Sequence, residues 1–293
     1  MLQRAPATAL SGMTHKCVLM IQHLELVAQL ANAFGNENFD ELLPKEIMEH
    51  AAANHDAGWY EKDLTMSLDP VAHIPRGLLF APPGTSVEVG SKSADIGEAF
   101  HAYSGLLISL HHTGLQQGRY GEGGGKVPAF AEMVSESKQW REASGEPATA
   151  QASIEDWLAK ETERQERIKA ALSNDAATAP WVSNEALWTN YRAMQFFDTL
   201  ALYFCLAAEH DRPSTPLEFP KVPTSVSGKS TTVKVTRIHE GRYTCEPYPF
   251  NRSPLTVTLA GSLVKPDASL ANALAMISKG ALHVETITLE PAK

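Results

Sequence analysis

The sequence predicts a mainly α-helical fold with a small C-terminal β-rich α+β unit. Apolar residues recur at helical spacing through most of the first 210 residues, whereas β-branched residues alternate with polar ones after residue 230. Between the two regions lies the proline-rich break RPSTPLEFPKVP. We therefore place a helical domain at residues 1–220 and a β-rich C-terminal unit at residues 221–293.

The first elements alternate between short apolar runs and helices. The run CVLMI at residues 17–21 has the length of a strand and leads into a helix that stops at Gly35. A second helix is predicted from Pro44, because proline is tolerated in a first turn, to Gly58 as its terminator. Residues 59–95 are rich in Pro, Gly and Asp and are predicted to be irregular.

Three further helices are predicted in the middle of the chain. The first covers residues 95–114 and is followed by the glycine-rich loop GLQQGRYGEGGGKVP, which is expected to be flexible or to cover a ligand. Residues 150–172 have one apolar face and predict a surface helix, while residues 184–209 are apolar almost all round and predict a core helix. In the C-terminal unit, SLANALAMIS predicts one helix among strands.

Composition and charge exclude several classes of protein. The chain has 293 residues with 43% hydrophobic residues, which is enough for a sizeable core. With 34 acidic against 25 basic residues the net charge is -9, so neither a nucleic acid nor an anionic membrane surface is an expected partner. We expect no signal peptide and no membrane span, and the odd count of three cysteines favours a cytoplasmic location over a disulfide framework.

Polar residues occupy the apolar faces of four predicted helices. His23 shares a stripe with Val27 and Leu30, at offsets of 4 and 7 residues. The adjacent pair His55 and Asp56 borders the buried side of the second helix in the same way. These three side chains are therefore expected to point into the core.

The third and the last of these helices add one polar residue each. His111 lies about 80° from the apolar centre of its helix, whereas His112 and His101 are expected on the opposite face. Asp198 lies in the middle of an apolar stripe that includes Met194 and Leu202. An unpaired carboxylate in a low-dielectric interior is costly, and a divalent cation with imidazole partners offsets that cost. The set predicts a metal site, and the alternative is a buried Asp–His hydrogen-bond network.

The order of these residues, H...HD...D on helices, resembles the HD-domain metalloprotein superfamily. More closely, QHLELVAQLA, AAANHDAGWYEKD, YSGLLISLHHTGL, GRYG, LWTNYRAMQFFDTLALYFC and EPYPF resemble a bacterial family of unknown function with an HD-x-GW motif. The superfamily resemblance implies an HD-like helical core that binds metal. In such a core the Asp of the adjacent His–Asp pair, here called the doublet, is placed to bridge a second ion. The implied ligands are His23, His55, Asp56 and Asp198.

The resemblance also implies an additional ligand and reveals one departure. In binuclear members an extra helical histidine binds metal, and here that role falls to His111, with His112 as the alternative. No sixth ligand is identified. The residue after HD-x-G is often Lys in the superfamily but is Trp59 here, which removes a usual contact to an anionic substrate.

Five residues near these motifs are candidate substrate contacts. Trp59 and Lys62 follow the doublet directly, and Trp59 either walls a substrate pocket or caps the core. Arg119 and Tyr120 lie on the glycine-rich loop, which lacks the GK[ST] of a phosphate-binding P-loop. Arg192 lies six residues before Asp198, about 120° away on the helical wheel.

The leading functional hypothesis is a cytoplasmic metal-dependent hydrolase of HD type that acts on a phosphate ester through metal-activated water. One or two ions of Fe, Mn, Co, Ni or Zn are expected, together with a small-molecule substrate. One alternative is a non-haem di-iron oxygenase of the inositol oxygenase kind, which needs two more helical histidines than the tetrad. Another is a non-catalytic scaffold whose metal has a closed coordination shell. The substrate and the oligomeric state do not follow from the sequence.

Overall fold

In a computed structural model of the chain, the structure describes residues 1–4, 14–69, 73–119, 127–207 and 212–293. Within these ranges the chain forms eight α-helices, and about half of the protein is helical. The helices are α1 (Met20–Asn32), α2 (Lys45–Asn54), α3 (Thr85–Phe100), α4 (Ala102–Gln116), α5 (Pro128–Ser144), α6 (Gln151–Ser173), α7 (Asn184–Leu206) and α8 (Leu270–Lys279).

The strands of the described residues form one seven-stranded sheet in the order β1-β2-β6-β7-β5-β4-β3. They are β1 (Leu2–Arg4), β2 (His15–Val18), β3 (Leu217–Pro223), β4 (Ser230–His239), β5 (Arg242–Glu246), β6 (Leu255–Val264) and β7 (Leu282–Pro291). All neighbours pair antiparallel except β5 and β7, which are parallel. The fold is therefore α+β and is not clearly mainly α, whereas the sequence predicted a mainly α-helical fold with a small β-rich unit.

The N-terminal strands belong to the same sheet as the C-terminal ones. In β2, Cys17 pairs with Ser262 of β6, and β1 pairs with β2 in turn. The predicted short strand before α1 is thus confirmed, and its partner lies more than 240 residues away in the sequence. The division at residue 220 stays a prediction, and β3 extends across that position.

The core helix and the surface helix are confirmed. In α7 almost every residue from Leu187 to Leu206 is buried, because the helix packs against α1, α2, α4 and α5 as well as β1 and β3. In α6 the buried side includes Trp157, Ile168 and Leu172, and the rest of its surface is largely exposed. Among the described residues, no helix combines the length and apolar character needed to cross a membrane.

The predicted third helix is wrong in its extent, because the chain forms two helices there. Residue His101 has an extended backbone, with φ of -160°, and its Nδ1 accepts a hydrogen bond from the backbone N–H of Tyr103 at 3.0 Å. It therefore caps the start of α4 and separates it from α3, which begins at Thr85 inside the segment predicted to be irregular. The two helices pack closely, since a Cβ on Gly105 would lie 2.8 Å from Cα of Glu98.

Two other helical ends differ from the predictions. Helix α2 ends at Asn54 and is followed by a short 3₁₀ helix, Ala57–Trp59, so Gly58 is no left-handed terminator. Helix α5 was not predicted, because only Met133 and Ser137 are buried along it and no apolar stripe is visible in the sequence.

Candidate metal centre

His23 lies in the first turns of α1 and is completely buried. The start of this helix is held by Asp63, whose Oδ2 accepts a hydrogen bond from the backbone N–H of Met20 at 2.6 Å. Nε2 of His23 lies 3.1 Å from Oδ1 of Asp198, and its Nδ1 lies 3.7 Å from Sγ of Cys205. Asp63 thereby positions the turn that carries His23.

His55 and Asp56 lie where the chain leaves α2. Nδ1 of His55 donates a hydrogen bond to the backbone carbonyl of Ala52 at 2.9 Å, so Nε2 is the nitrogen that faces the cluster. That Nε2 lies 3.5 Å from Oδ1 of Asp198 and 3.7 Å from Oδ2 of Asp56. The doublet thus directs an imidazole and a carboxylate to one point.

The turn after the doublet is fixed by close packing of Gly58 against α3. The backbone N–H of Gly58 donates to Oγ of Ser93 at 2.9 Å, and a Cβ at Gly58 would lie 2.4 Å from the carbonyl oxygen of Val89. No side chain fits at that distance without movement of α3 or of the turn. The glycine of the HD-x-GW motif is therefore required by packing.

We expect Gly58→Ala to lower the free energy of unfolding by about 1–3 kcal/mol and to displace the doublet. Chemical denaturation measures the first effect and metal titration of the folded variant measures the second. Ser135→Ala is the control, since it changes an exposed side chain on α5 and adds no atom to a packed position. A Gly58→Ala variant with wild-type stability and metal affinity would contradict this assignment.

Asp198 lies at the centre of the cluster. It is 3% exposed in the middle of α7, and its Oδ2 lies 4.0 Å from Nε2 of His111. Burial alone would raise the pKa of Asp198, but the neighbouring His55 and His23 outweigh burial and hold this pKa well below its usual range. The carboxylate is therefore ionised in the interior.

The histidines around Asp198 differ in their protonation. Burial alone would lower the pKa of His23, but the contacts with Asp198 and Cys205 outweigh burial and raise it to about 10. Burial, together with the charge of His55, lowers the pKa of His111 to about 3. His111 is therefore neutral at pH 7, as a metal ligand must be, whereas His23 would have to release a proton when a cation binds beside Asp198.

His111 and His112 have different partners. Nε2 of His112 donates to the backbone carbonyl of His55 at 2.8 Å and lies 3.5 Å from Oδ1 of Asp56. His112 thus braces the doublet, whereas His111 shares a cluster with His55 and Asp198. The expectation that His112 faces away from the core is wrong, because α4 is covered on all sides and its residues 103–114 are buried.

The predicted ligands form two overlapping groups whose ligand atoms lie within 4.8 Å of one another. One group is His23, His55 and Asp56, and the other is His55, His111 and Asp198. All five residues thus come together from α1, the turn after α2, α4 and α7. This cluster could hold a metal ion.

The chemistry of the cluster fits a cation. Among the described residues, Nε2 of His23 and Nε2 of His55 are fully buried and have no hydrogen-bond partner in line with the ring nitrogen. Buried polar atoms without such a partner are uncommon and call for an explanation. Two imidazole nitrogens that converge beside two carboxylates form the donor set that transition metals and zinc prefer.

A cavity of about 420 Å³ reaches the cluster from one side. Asp56, His111, His112 and Asp198 line its inner end, while His23 and His55 lie behind them with no exposed surface. Trp59 and Trp157 also line this cavity. A ligand in the cavity would therefore meet the two carboxylates and His111 first.

The predicted substrate contacts are dispersed. Trp59 lines the cavity, but Lys62 pairs with Glu88 at 2.7 Å, and Arg119 donates to Oγ1 of Thr113 at 3.1 Å. Neither Lys62, Arg119 nor Arg192 is among the described residues that line the cavity. Tyr120 lies outside the described residues. A substrate role for these residues stays a prediction.

The apolar walls of the cavity were missed by the sequence analysis. Leu78 and Leu79 come from the segment that was predicted to be irregular, and Phe130 and Val134 come from α5. None of these four positions belongs to a long apolar stripe, so no periodicity identifies them. The HD-x-GW motif and its Trp59 were the available signal for the cavity.

One comparison with known proteins identifies the family. The family model described as "Protein of unknown function (DUF3891)" matches residues 10–266, which is most of the chain. No curated protein and no solved structure matches the chain significantly. The chain therefore belongs to this family of unknown function.

Proposed function

We propose that this protein is a metal-dependent hydrolase of HD type that acts on a phosphate ester. Its ligands are His23, His55, Asp56, His111 and Asp198. The observation that carries the proposal is the convergence of the buried Nε2 atoms of His23 and His55 on the carboxylate of Asp198, with Asp56 and His111 beside them.

The alternative, a purely hydrogen-bonded network, explains these contacts less well. A network would satisfy its buried nitrogens with aligned acceptors, because an unmade buried hydrogen bond costs about 1–3 kcal/mol. Here His55 donates through Nδ1 to the carbonyl of Ala52, and its Nε2 lies 3.5 Å from Oδ1 of Asp198. Burial alone would lower the pKa of His55, but the charges of Asp198 and Asp56 raise it, so this position favours a positive charge, which either a proton or a cation supplies. A cation would also bring His111 into the same site.

The protein's own groups have distinct parts in such a reaction. A bound divalent cation supplies an activated water at neutral pH and neutralises charge on the phosphoryl group. Asp56 has 16% of its side chain exposed and lines the cavity, so it is placed to meet the substrate. Hydrogen bonds from His112 to the His55 carbonyl and from His55 to Ala52 keep the doublet oriented.

The role of His112 favours a hydrolase over the di-iron oxygenase. The oxygenase needs two helical histidines beyond the tetrad, and His111 is one of them. In the part of the chain that the structure describes, Nε2 of His112 is engaged with the backbone carbonyl of His55 and lies outside both potential metal groups. We therefore prefer metal-dependent hydrolysis.

Elemental analysis of protein purified without chelators, combined with a phosphatase assay, tests the proposal. We expect one or two divalent ions per chain and hydrolysis of p-nitrophenyl phosphate that chelator treatment abolishes and added metal restores. In the same assay His55→Ala should lose both metal and activity, whereas His239→Ala, which removes an exposed imidazole on β4, should keep both.

The other outcomes separate the competing functions. If the protein takes up no metal even after reconstitution, the cluster is a buried polar network and the proposed enzymatic function is wrong. Two irons together with oxygen consumption would replace the hydrolase by the oxygenase. A tightly held metal without any hydrolytic activity would favour the structural site of a scaffold.

A further inference from the structure

The cavity beside the cluster is lined by residues of the cluster and by walls that are predominantly apolar. The cluster residues that line it are Asp56, His111, His112 and Asp198. Its walls are mostly large apolar and aromatic side chains drawn from seven parts of the chain, and they also include the polar residues Thr85, Ser86, Gln116, Arg141 and Thr149. The apolar and aromatic side chains include Met20, Trp59, Leu78, Leu79, Leu115, Phe130, Val134, Trp157 and Leu202.

Arg141 is the one Lys or Arg side chain among the described residues that line the walls, and it binds backbone carbonyls. Its guanidinium donates to the carbonyls of Leu79 at 3.1 Å, Ala81 at 2.9 Å and Pro147 at 3.2 Å. It also lies 5.4 Å from the centre of the Trp140 ring. Arg141 therefore braces the wall, and a metal ion in the cluster would be the main positive partner of an anionic group.

The size of the cavity sets a further limit on the ligand. A volume of about 420 Å³ lies within the usual range for small-molecule sites. Among the described residues of the walls, apolar side chains such as Leu79, Phe130 and Val134 outnumber polar ones, so an apolar group finds more matching surface there than the hydroxyls and base edges of a nucleotide do. A buried polar group without a partner is disfavoured, whereas apolar surface that leaves water is favoured.

We propose that the substrate is a phosphate ester of an apolar alcohol, aliphatic or aromatic, whose phosphoryl group reaches the cluster while its apolar part fills the cavity. This inference rests on the proposed function and specifies its substrate class. It assigns the specificity of the site to side chains outside the ligand set, chiefly Leu79, Phe130 and Val134.

Binding of a homologous series of n-alkylphosphonates, from methyl to octyl, to the metal-loaded protein tests this inference. Phosphonates present a phosphate-like head and are not hydrolysed, so calorimetry measures binding alone. We expect the affinity to rise up to about fourfold for each added methylene, which corresponds to about 0.8 kcal/mol. Octylphosphonate should also bind more tightly than adenosine monophosphate.

A matched pair of variants on α5 tests the location of the apolar part. Val134 is half-buried and lines the cavity, whereas the next residue, Ser135, is exposed. We expect Val134→Asp to abolish the dependence of affinity on chain length and Ser135→Asp to leave that dependence unchanged. If Val134→Asp does not fold, Leu115→Ser can replace it, because Leu115 is an apolar residue of α4 that lines the cavity. This variant should weaken the binding of octylphosphonate more than that of methylphosphonate.

The remaining outcomes contradict the proposed substrate class or both proposals. Metal-loaded protein that binds all phosphonates equally, or that prefers the nucleotide, overturns the inference about the substrate and leaves the metal-dependent hydrolase in place. A chain-length dependence that persists in Val134→Asp and Leu115→Ser also overturns it. Protein without metal in the same samples overturns both proposals.

Discussion

Replacing Asp198 by asparagine is expected to lower metal affinity by at least about 100-fold and to abolish hydrolysis. Changes to groups that only orient a metal ligand already cost about 10–100-fold, and Asp198 is assigned as a ligand. The side chain is almost fully buried, and its two oxygens face His23, His55 and His111. Asparagine keeps the size of the side chain but removes the negative charge that a cation requires.

The measurement is metal content per chain after equilibration with buffered free metal, followed by the phosphatase assay. Asp156→Asn is the matched control, because it makes the same chemical change on the exposed side of α6. Thermal melting of both variants checks that they are folded. If folded Asp198→Asn bound metal as tightly as the wild type, the proposed ligand set would be wrong.

Helical periodicity was sufficient to find the buried members of the cluster. His23 and Asp198 each lie on an apolar stripe, and such a stripe faces the core, so the inward direction of these polar side chains can be calculated from sequence alone. The structure confirms that both are buried. Their convergence depends on how four helices pack, and sequence spacing alone does not determine that packing.

The position of His112 shows where this reasoning fails. A helical wheel assumes one buried face and one exposed face, but α4 has neighbours all round and buries His112 as well as His111. The two histidines are then distinguished by their partners, since His112 donates to a backbone carbonyl and His111 approaches Asp198. Hydrogen bonds to the backbone of a turn that is distant in the sequence cannot be predicted from sequence periodicity.

The cavity walls and the sheet were hard to predict for a related reason. Leu79 lies in a segment without regular periodicity, and α5 has too few buried residues to form a stripe. Likewise, the strand β2 is visible as an apolar run, but its pairing with β6 is a contact across most of the chain. Such long-range contacts are set by tertiary packing, which a single sequence does not display.

Removing the metal is expected to lower the melting temperature by roughly 10 °C. The cluster joins α1, the turn after α2, α4 and α7, so a cation bound there stabilises only the folded chain. Free metal at a thousandfold excess over its Kd stabilises a protein by about 4 kcal/mol. For large domains about 1 kcal/mol corresponds to roughly 2–4 °C.

Differential scanning calorimetry of chelated and metal-loaded protein measures this effect, with Asp198→Asn as the control that should not respond to metal. An unchanged melting temperature in the wild type would mean that the folded state has no preference for the ion. Methylphosphonate added to the metal-loaded protein then separates an enzyme from a scaffold. Because Asp56 and His111 face the cavity, an open coordination position there should accept the phosphonate and raise the melting temperature further. A closed structural shell should give no additional rise.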